Sequence, residues 1–327
     1  MKLASLKSSG RDGTLIVVDK TLSRYITVPN IATTLQQALE SWSITALQLK
    51  TAYEAINNNP AASHNVNINE LASPLPRSYQ WLDGSAYLTH VERVRKARGA
   101  EMPPSFLEDP LMYQGGSDTF LGPRDDILVG DESWGIDFES EVAIITDDVP
   151  QGVSEEEAGK HIKLIMLVND VSLRNLIPSE LAKGFGFLHG KPPTTFSAVA
   201  VTPDELGDAW HDSKLHLPLR TTLNGEKFGD PDAGSDMQFS FAQLIQHAAK
   251  TRPLGAGTII GSGTVSNADV SRGCSCLAEK RVLEIINHGE ATTPFMSFGD
   301  QISIEMRDNS GQSIFGSINQ VVKACRS

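Results

Sequence analysis

Ile136-Asp-Phe-Glu-Ser-Glu-Val-Ala-Ile-Ile145 places two carboxylates, Glu139 and Glu141, two residues apart in an apolar run. The run reads as a β-strand, where side chains at i and i+2 project to one face, whereas on a helix they diverge. Both glutamates therefore share a face of a sheet. Like charges held side by side in a half-buried setting repel, and the repulsion is relieved by protonating one or by binding a cation. An all-oxygen site of this kind suits a hard ion such as Mg²⁺ or Ca²⁺.

Working outward, Ile162-Lys-Leu-Ile-Met-Leu-Val-Asn-Asp170 is a second apolar strand that ends in an acid. Further strand-like runs are Lys214 to Thr222, Thr258 to Val265, Val282 to Ile286, Ile302 to Met306 and Ile314 to Val322. Asn224-Gly225, between Leu223 and Phe228, is a hairpin-turn signal. Ser154-Glu-Glu-Glu157 and Ser240-Phe-Ala-Gln243 fit the capping box, each opening a short helix. Strands do not alternate regularly with helices, so the expectation is an α+β fold with a β-rich, mixed-sheet core rather than a doubly wound parallel sheet. Toward the N-terminus, Thr14 to Val18 and Tyr25 to Val28 are strand-like. Leu35, Leu39 and Trp42, then Tyr53 and Ile56, follow at helical spacing. Asn57-Asn-Asn-Pro60 interrupts them, and a small N-terminal α/β domain is placed at 1–70, with the larger domain at 71–327.

The chain has 327 residues, 40% apolar and 21% charged, which argues against extensive disorder. A formal charge of −12 disfavours nucleic acid and anionic membranes as partners. An anionic substrate would need a metal or a local basic cluster. Nothing approaches the roughly 18 consecutive apolar residues of a membrane span, and the polar start at Lys7-Ser-Ser-Gly10 does not read as a signal peptide. Of the 3 cysteines, Cys274 and Cys276 are too close for an ordinary disulfide, and a reducing cytoplasm is expected. Gly255-Ala-Gly257-Thr-Ile-Ile-Gly261 lacks dinucleotide-loop spacing, and no Gly-x-Ser-x-Gly elbow or Walker motif occurs.

Asp83, in Trp81-Leu-Asp-Gly-Ser-Ala-Tyr-Leu-Thr-His90, joins Glu139, Glu141 and Asp170 as a possible four-carboxylate site. Taken singly, Asp83 and Asp170 are better explained as solvated groups or helix caps, His90 as a packed or surface histidine, and Tyr113 as a packing residue. Arg174, read as one helical turn from Asp170, is explained by a simple salt bridge.

The series Asp83…His90, Asp109-Pro-Leu-Met-Tyr-Gln-Gly-Gly116, Phe138-Glu-Ser-Glu-Val142, Asn169-Asp-Val-Ser-Leu-Arg174, Gly190-Lys-Pro-Pro-Thr-Thr-Phe196 and Gly261-Ser-Gly-Thr264 resembles the fumarylacetoacetate hydrolase family. It runs in order from about residue 80 to the C-terminus. The resemblance implies a mixed β-sandwich roll, a homodimer, and Mg²⁺- or Ca²⁺-dependent cleavage of a carbon–carbon bond in a β-diketo acid such as fumarylacetoacetate or an acylpyruvate. By motif position it implies that Asp83, Glu139, Glu141 and Asp170 ligate the metal, with Lys191 and Thr195 at its shell. His90 would activate water, Arg174 and Lys191 would steady the developing anion, and Tyr113 and Thr264 would touch substrate. Glu279 would orient His90, although it stands two positions later than the family's spacing. Ile177-Pro178-Ser179 departs from the polar contact expected after Arg174, which leaves the exact substrate open. A hydratase, decarboxylase or tautomerase of a 2-oxo acid on the same fold is the alternative, and a non-catalytic cation-binding module a further one.

Overall fold

The computed structural model describes residues 1–7, 10–97 and 103–325. Its backbone is the long strand pair at the centre. Ser140–Thr146 lies antiparallel to Ile162–Asn169, with Val168 opposite Glu141 and Asn169 opposite Ser140. Alternate side chains on Ile162–Asn169 enter different cores: Ile165 and Leu167 join one apolar cluster, Leu164, Met166 and Val168 the other. Burial of both faces is why these segments are continuously apolar rather than alternating.

From this pair the sheet extends both ways. On one side Ile259–Gly261 pairs with Ser140–Thr146, then runs parallel to Trp81–Gly84, which pairs with the edge strand Met112–Gly115. On the other side Ala200–Val201 bridges to Lys2–Leu6, which continues into Thr14–Val18, Arg24–Thr27 and His64–Asn65. Residues of the 1–70 segment thus share one sheet with the rest of the chain. Helices α1 (Leu35–Glu40) and α2 (Trp42–Asn58) cover its face, with Leu35, Leu39, Leu49 and Ile56 buried against Leu3, Leu15 and Val17. The periodic set Leu35, Leu39, Trp42 is divided, because α1 ends at Glu40 and Trp42 opens α2.

A second, five-stranded sheet contains Glu226–Gly229, Leu219–Leu223, Gln301–Met306, Ile318–Ala324 and Ile127–Val129. Its Leu219, Ile302, Ile304 and Ile318 share an apolar core with Val142, Ile144 and Ile165 of the main sheet. The expected β-rich, mixed α+β architecture is therefore present. At Asn224-Gly225 both residues have positive φ, 53° and 81°, and Leu223 pairs with Glu226, so the hairpin turn forms as expected. The remaining helices are α3 (Leu88–Ala97), α4 (Glu155–Ala158), α5 (Ile177–Leu181), α6 (Phe241–Ala248) and α7 (Leu277–His288). Ser154 caps α4, and Ser240 with Gln243 forms the full capping box of α6.

Several expected strands are corrected. Val282 to Ile286 lies inside α7, started by Cys276 as N-cap and stopped by Gly289 in the left-handed region; its branched residues imitate a strand in composition, not in period. In Lys214 to Thr222, Pro218 separates Lys214–Leu215 from Leu219–Leu223. Thr258 to Val265 shrinks to Ile259–Gly261, since Gly263 turns the chain with φ 74°. Ile314 to Val322 begins only at Ile318, after Gly316 with φ 69°.

Lys2, on the strand that joins the N-terminal residues to the main sheet, is 3% exposed and donates to Ile314 O at 2.7 Å. Burial pushes its amine down to about 8. From about pH 8 up to its ordinary value of 10.5 the unfolded chain therefore binds a proton that the folded chain lacks, and stability from this group rises with pH. Urea titrations of wild type and Lys2→Met at pH 7 and pH 10.5 should show their stability difference shifting by up to about 3 kcal/mol in favour of wild type at high pH. A pH-independent difference would refute the buried-amine account.

Candidate active site

Strand register assembles the site at one end of the main sheet. Gly261 pairs with Asp83 on one side and Ala143 on the other, and Asp83 pairs with Tyr113. A Cβ at Gly261 would collide with Asp83 Oδ1 and the Trp81 ring, so the glycine leaves the space that Asp83 fills. Glu141 lies two residues before Ala143 along its strand, and Asp170 follows directly after Asn169. Carboxylate oxygens of Asp83, Glu141 and Asp170 come within 4.8 Å of one another, and all three side chains are buried.

These carboxylates are unequally served. Asp83 Oδ1 accepts from Gly263 N at 3.1 Å. Asp170 accepts from Thr194 Oγ1 at 2.8 Å, Tyr113 OH at 2.5 Å and Lys191 Nζ at 2.6 Å. Glu141 is fully buried, and neither of its oxygens has a hydrogen-bond partner. Desolvation, followed by the charge of the neighbouring carboxylates, pushes the Asp83 and Glu141 carboxyls well above their usual range. An orphaned buried carboxylate beside two others is costly. A hard divalent cation would satisfy those oxygens, so Asp83, Glu141 and Asp170 fit as its ligands.

Glu139 stands apart from this trio. The single strand expected over Ile136 to Ile145 is broken at Phe138–Glu139, so Glu139 lies outside the strand that carries Glu141, between Ile136–Asp137 and Ser140–Thr146, and both its oxygens are engaged. Arg174 Nη2 donates to Oε1 at 2.7 Å, while Lys191 Nζ and Ser172 Oγ donate to Oε2 at 2.5 and 3.2 Å. Burial alone would raise the Glu139 carboxyl, but Lys191 and Arg174 overcome it and hold it well below the usual range. Burial likewise opposes the charge on Lys191, yet Asp170 and Glu139 outweigh it and keep the amine protonated. An ammonium has no lone pair. Lys191 therefore bridges Glu139 and Asp170 as a cation and does not ligate a metal in this state.

Arg174 is not one helical turn from Asp170: Ser172–Leu173 is a strand paired with Ile136–Asp137, and this pairing turns the guanidinium toward Asp137 and Glu139. Its Nε donates to Asp137 Oδ2 at 2.8 Å. Asp137 is fully buried and also accepts from Leu277 N at 2.7 Å and Ala278 N at 2.9 Å, the opening amides of α7.

His90, on α3, hydrogen-bonds through Nδ1 to Glu279 Oε2 at 2.7 Å. With Nδ1–H donating to a carboxylate, a neutral imidazole presents Nε2 as a proton acceptor. Glu279 is fully buried in the first turn of α7, and Arg93 and Ser266 both donate to its Oε1. Burial would raise its carboxyl, but the hydrogen bonds from His90 and Ser266 and the charge of Arg93 hold it lower. A ring nitrogen of His90, an oxygen of Glu139 and Cys276 Sγ lie within 4.8 Å of one another, which sets this pair beside the carboxylates. Cys276 Sγ in turn accepts from Glu279 N at 3.3 Å, and burial raises its thiol well above the usual value.

Asp83, Glu141, Asp170, Glu139, Lys191, Arg174, Tyr113, His90 and Glu279 are thus connected through contacts of one region. Thr195 and Thr264 are buried near it, but Thr195 Oγ1 has no hydrogen-bond partner, and the threonine that reaches Asp170 is Thr194. Sequence reasoning missed Thr194, Asp137, Arg93 and Ser266. Asp137 was visible as an acid inside the opening motif, whereas the other three carry no local signal.

Glu141→Gln keeps the shape and removes the buried carboxyl that no donor serves. In the presence of chelator it should melt above wild type; calorimetric titration with Mg²⁺ or Mn²⁺ should give binding to wild type and none to the variant. Equal cation affinity in both proteins would show that the ion, if any, lies elsewhere.

Comparison with known proteins bears on the chain as a whole. The family model for the fumarylacetoacetate hydrolase C-terminal region matches residues 80–323, and that for fumarylacetoacetase N-terminal domain 2 matches residues 1–77. The 2,4-didehydro-3-deoxy-L-rhamnonate hydrolase of Sphingomonas sp. (strain SKA58) is 31% identical over 159 residues, 48% of this chain and 53% of that protein. The mitochondrial oxaloacetate tautomerase of Xenopus laevis is 26% identical over 227 residues, 68% of this chain and 66% of that protein. Among solved structures, fumarylacetoacetate hydrolase from Exiguobacterium antarcticum superposes with a TM-score of 0.69 at 18% identity, covering 99% of this chain and 100% of that one. Maleylpyruvate hydrolase from Sphingobium sp. SYK-6, solved with manganese(II) and pyruvate, gives 0.66 at 16% identity over 100% of both chains. The chain belongs to the fumarylacetoacetate hydrolase family.

Proposed function

We propose that this protein is a divalent-cation-dependent hydrolase that splits a carbon–carbon bond in a β-diketo acid of the fumarylacetoacetate or acylpyruvate type. The observation that carries the proposal is the His90–Glu279 pair, a base with its tautomer fixed by a buried carboxylate, beside three buried acids that lack enough donors. A cation held by Asp83, Glu141 and Asp170 supplies Lewis-acid polarisation of the substrate carbonyls. The manganese and pyruvate of the Sphingobium structure support an oxo-acid ligand on this fold, and the oxygen-only donor set accommodates Mg²⁺, Ca²⁺ or Mn²⁺.

The side chains then divide the work. His90 Nε2 takes a proton from water while Glu279 holds Nδ1–H in place and offsets the imidazolium charge. The water oxygen bonds to the carbonyl carbon, the adjacent carbon–carbon bond breaks, and its electron pair leaves on the departing carbon as an enolate. His90 returns the proton to that carbon. Lys191 spends two N–H donors on Glu139 and Asp170, which leaves the third for a substrate oxygen. Arg174 spends Nε and one Nη2 donor on Asp137 and Glu139 and keeps others free. Fixed cationic donors at a developing oxyanion contribute about 3–4 kcal/mol each.

A tautomerase acting on a 2-oxo acid is the second reading, favoured by the alignment with the Xenopus enzyme; there His90 would only shuttle a proton between carbon and oxygen. A panel of β-diketo and 2-oxo acids, assayed with and without chelator and with products weighed by mass spectrometry, separates the two. The hydrolase reading expects two fragments, activity lost to chelator and restored by Mg²⁺ or Mn²⁺, and loss of about a hundredfold or more in kcat for His90→Ala. Products of unchanged mass would assign the tautomerase instead. Cation binding with no turnover of any acid would sink both readings.

A further inference from the structure

Asp137 touches none of the groups assigned to chemistry except Arg174, yet it is fully buried and both of its oxygens are occupied. Oδ1 accepts from Leu277 N; Oδ2 accepts from Ala278 N and Arg174 Nε. Leu277 and Ala278 open α7, the helix whose first turn carries Glu279, and Glu279 holds His90. Arg174 continues to Glu139, Glu139 to Lys191, and Lys191 to Asp170. One carboxylate thus joins the base-bearing half of the site to the cation-binding half. The two halves come from distant parts of the chain, and among the described residues no other side chain bonds both the amide end of α7 and Arg174.

A carboxylate at the start of a helix is favoured by the free amides and the helix dipole. That alone explains stability and not the second bond. The amides aim at Oδ1 and Oδ2 together, which fixes the plane of the carboxylate. Oδ2 then receives Nε of Arg174, and the planar guanidinium has one orientation left in which Nη2 reaches Glu139. The geometry points to Asp137 as a positioning residue that sets the spacing between His90 and Arg174, and so between proton acceptor and anion-stabilising cation. For kinetics this rests on the hydrolase reading above; for geometry it does not.

Asp137→Asn is the test. An amide offers one acceptor oxygen where the carboxylate offers two, so its NH₂ must face at least one donor, Leu277 N or the Ala278 and Arg174 pair. The His90 Nδ1–H proton, followed by NMR in cation-free protein, needs no substrate and reports α7 directly. We expect its resonance to shift or exchange faster in Asp137→Asn, with Mg²⁺ affinity retained, KM little changed and kcat lowered about tenfold or more. Ala278→Pro is the second variant, for use where Asp137→Asn does not fold. Proline is tolerated in the first turn of a helix and removes one α7 donor while leaving Asp137 and Arg174 intact; it should move the same resonance. An unmoved His90 signal in a folded variant overturns the inference. So does a kcat loss matched by an equal loss of cation affinity, which would mark collapse of the carboxylate cluster. If wild type turns over no acid but the resonance moves, the hydrolase reading fails and the positioning role stands.

Discussion

Asp83, Glu141 and Asp170 are held within 4.8 Å of one another in a buried site, and this mutual repulsion is the constraint around which the rest of the site is arranged. Folding alone does not remove it, because the strand registers that bring the acids together are fixed by apolar side chains on both sheet faces. The repulsion is met in different ways at different atoms. Asp170 is met by Lys191, Tyr113 and Thr194, Asp83 by a backbone amide, and Glu141 by nothing on the chain. A site with one fully unserved buried carboxylate has chemical use for a cation, and the fold spends hydrophobic burial to keep it.

Around that core lies a second layer of paired charges. Glu139 does not join the trio but serves as the anion that anchors Lys191 and Arg174. Both cations thereby stay charged in a buried place, while neither donates a hydrogen bond to Glu141. Asp137 and Glu279 anchor Arg174 and Arg93 in the same way, and Glu279 also orients the His90 ring through Nδ1. In this layer Asp137, Glu139 and Glu279 each hold a cationic partner and accept further hydrogen bonds, the condition under which buried ion pairs persist.

Much of this was legible along the chain. The Glu139/Glu141 spacing, the acid closing Ile162 to Asp170 and the ordered motifs carry strong local patterns, as does the hairpin at Asn224-Gly225. Other parts were not. Val282 to Ile286 has strand-like composition, and its helix starts at Cys276, a residue that seldom announces an N-cap. Thr194 and Thr195 differ by one position, and only the pairing of Thr195 with Asn169 decides that Thr194 is the one facing Asp170. Arg174 reads as a helical neighbour of Asp170 because periodicity alone does not show that Ser172–Leu173 pairs with Ile136–Asp137.

Which residues could do chemistry is readable from the chain, because residue type dictates charge, donors and ligand preference and the motifs are local. So is the β-rich mixed class, because apolar runs buried on both faces leave a mark in composition. How those residues divide emerges with the three-dimensional fold: Glu139 is drawn to Arg174 and Lys191, Glu141 is left without a donor, and Asp137 joins α7 to Arg174. The reason is physical. Contacts between groups far apart in sequence depend on sheet register and on the competition among buried charges for few counter-charges, and neither is encoded in any local stretch.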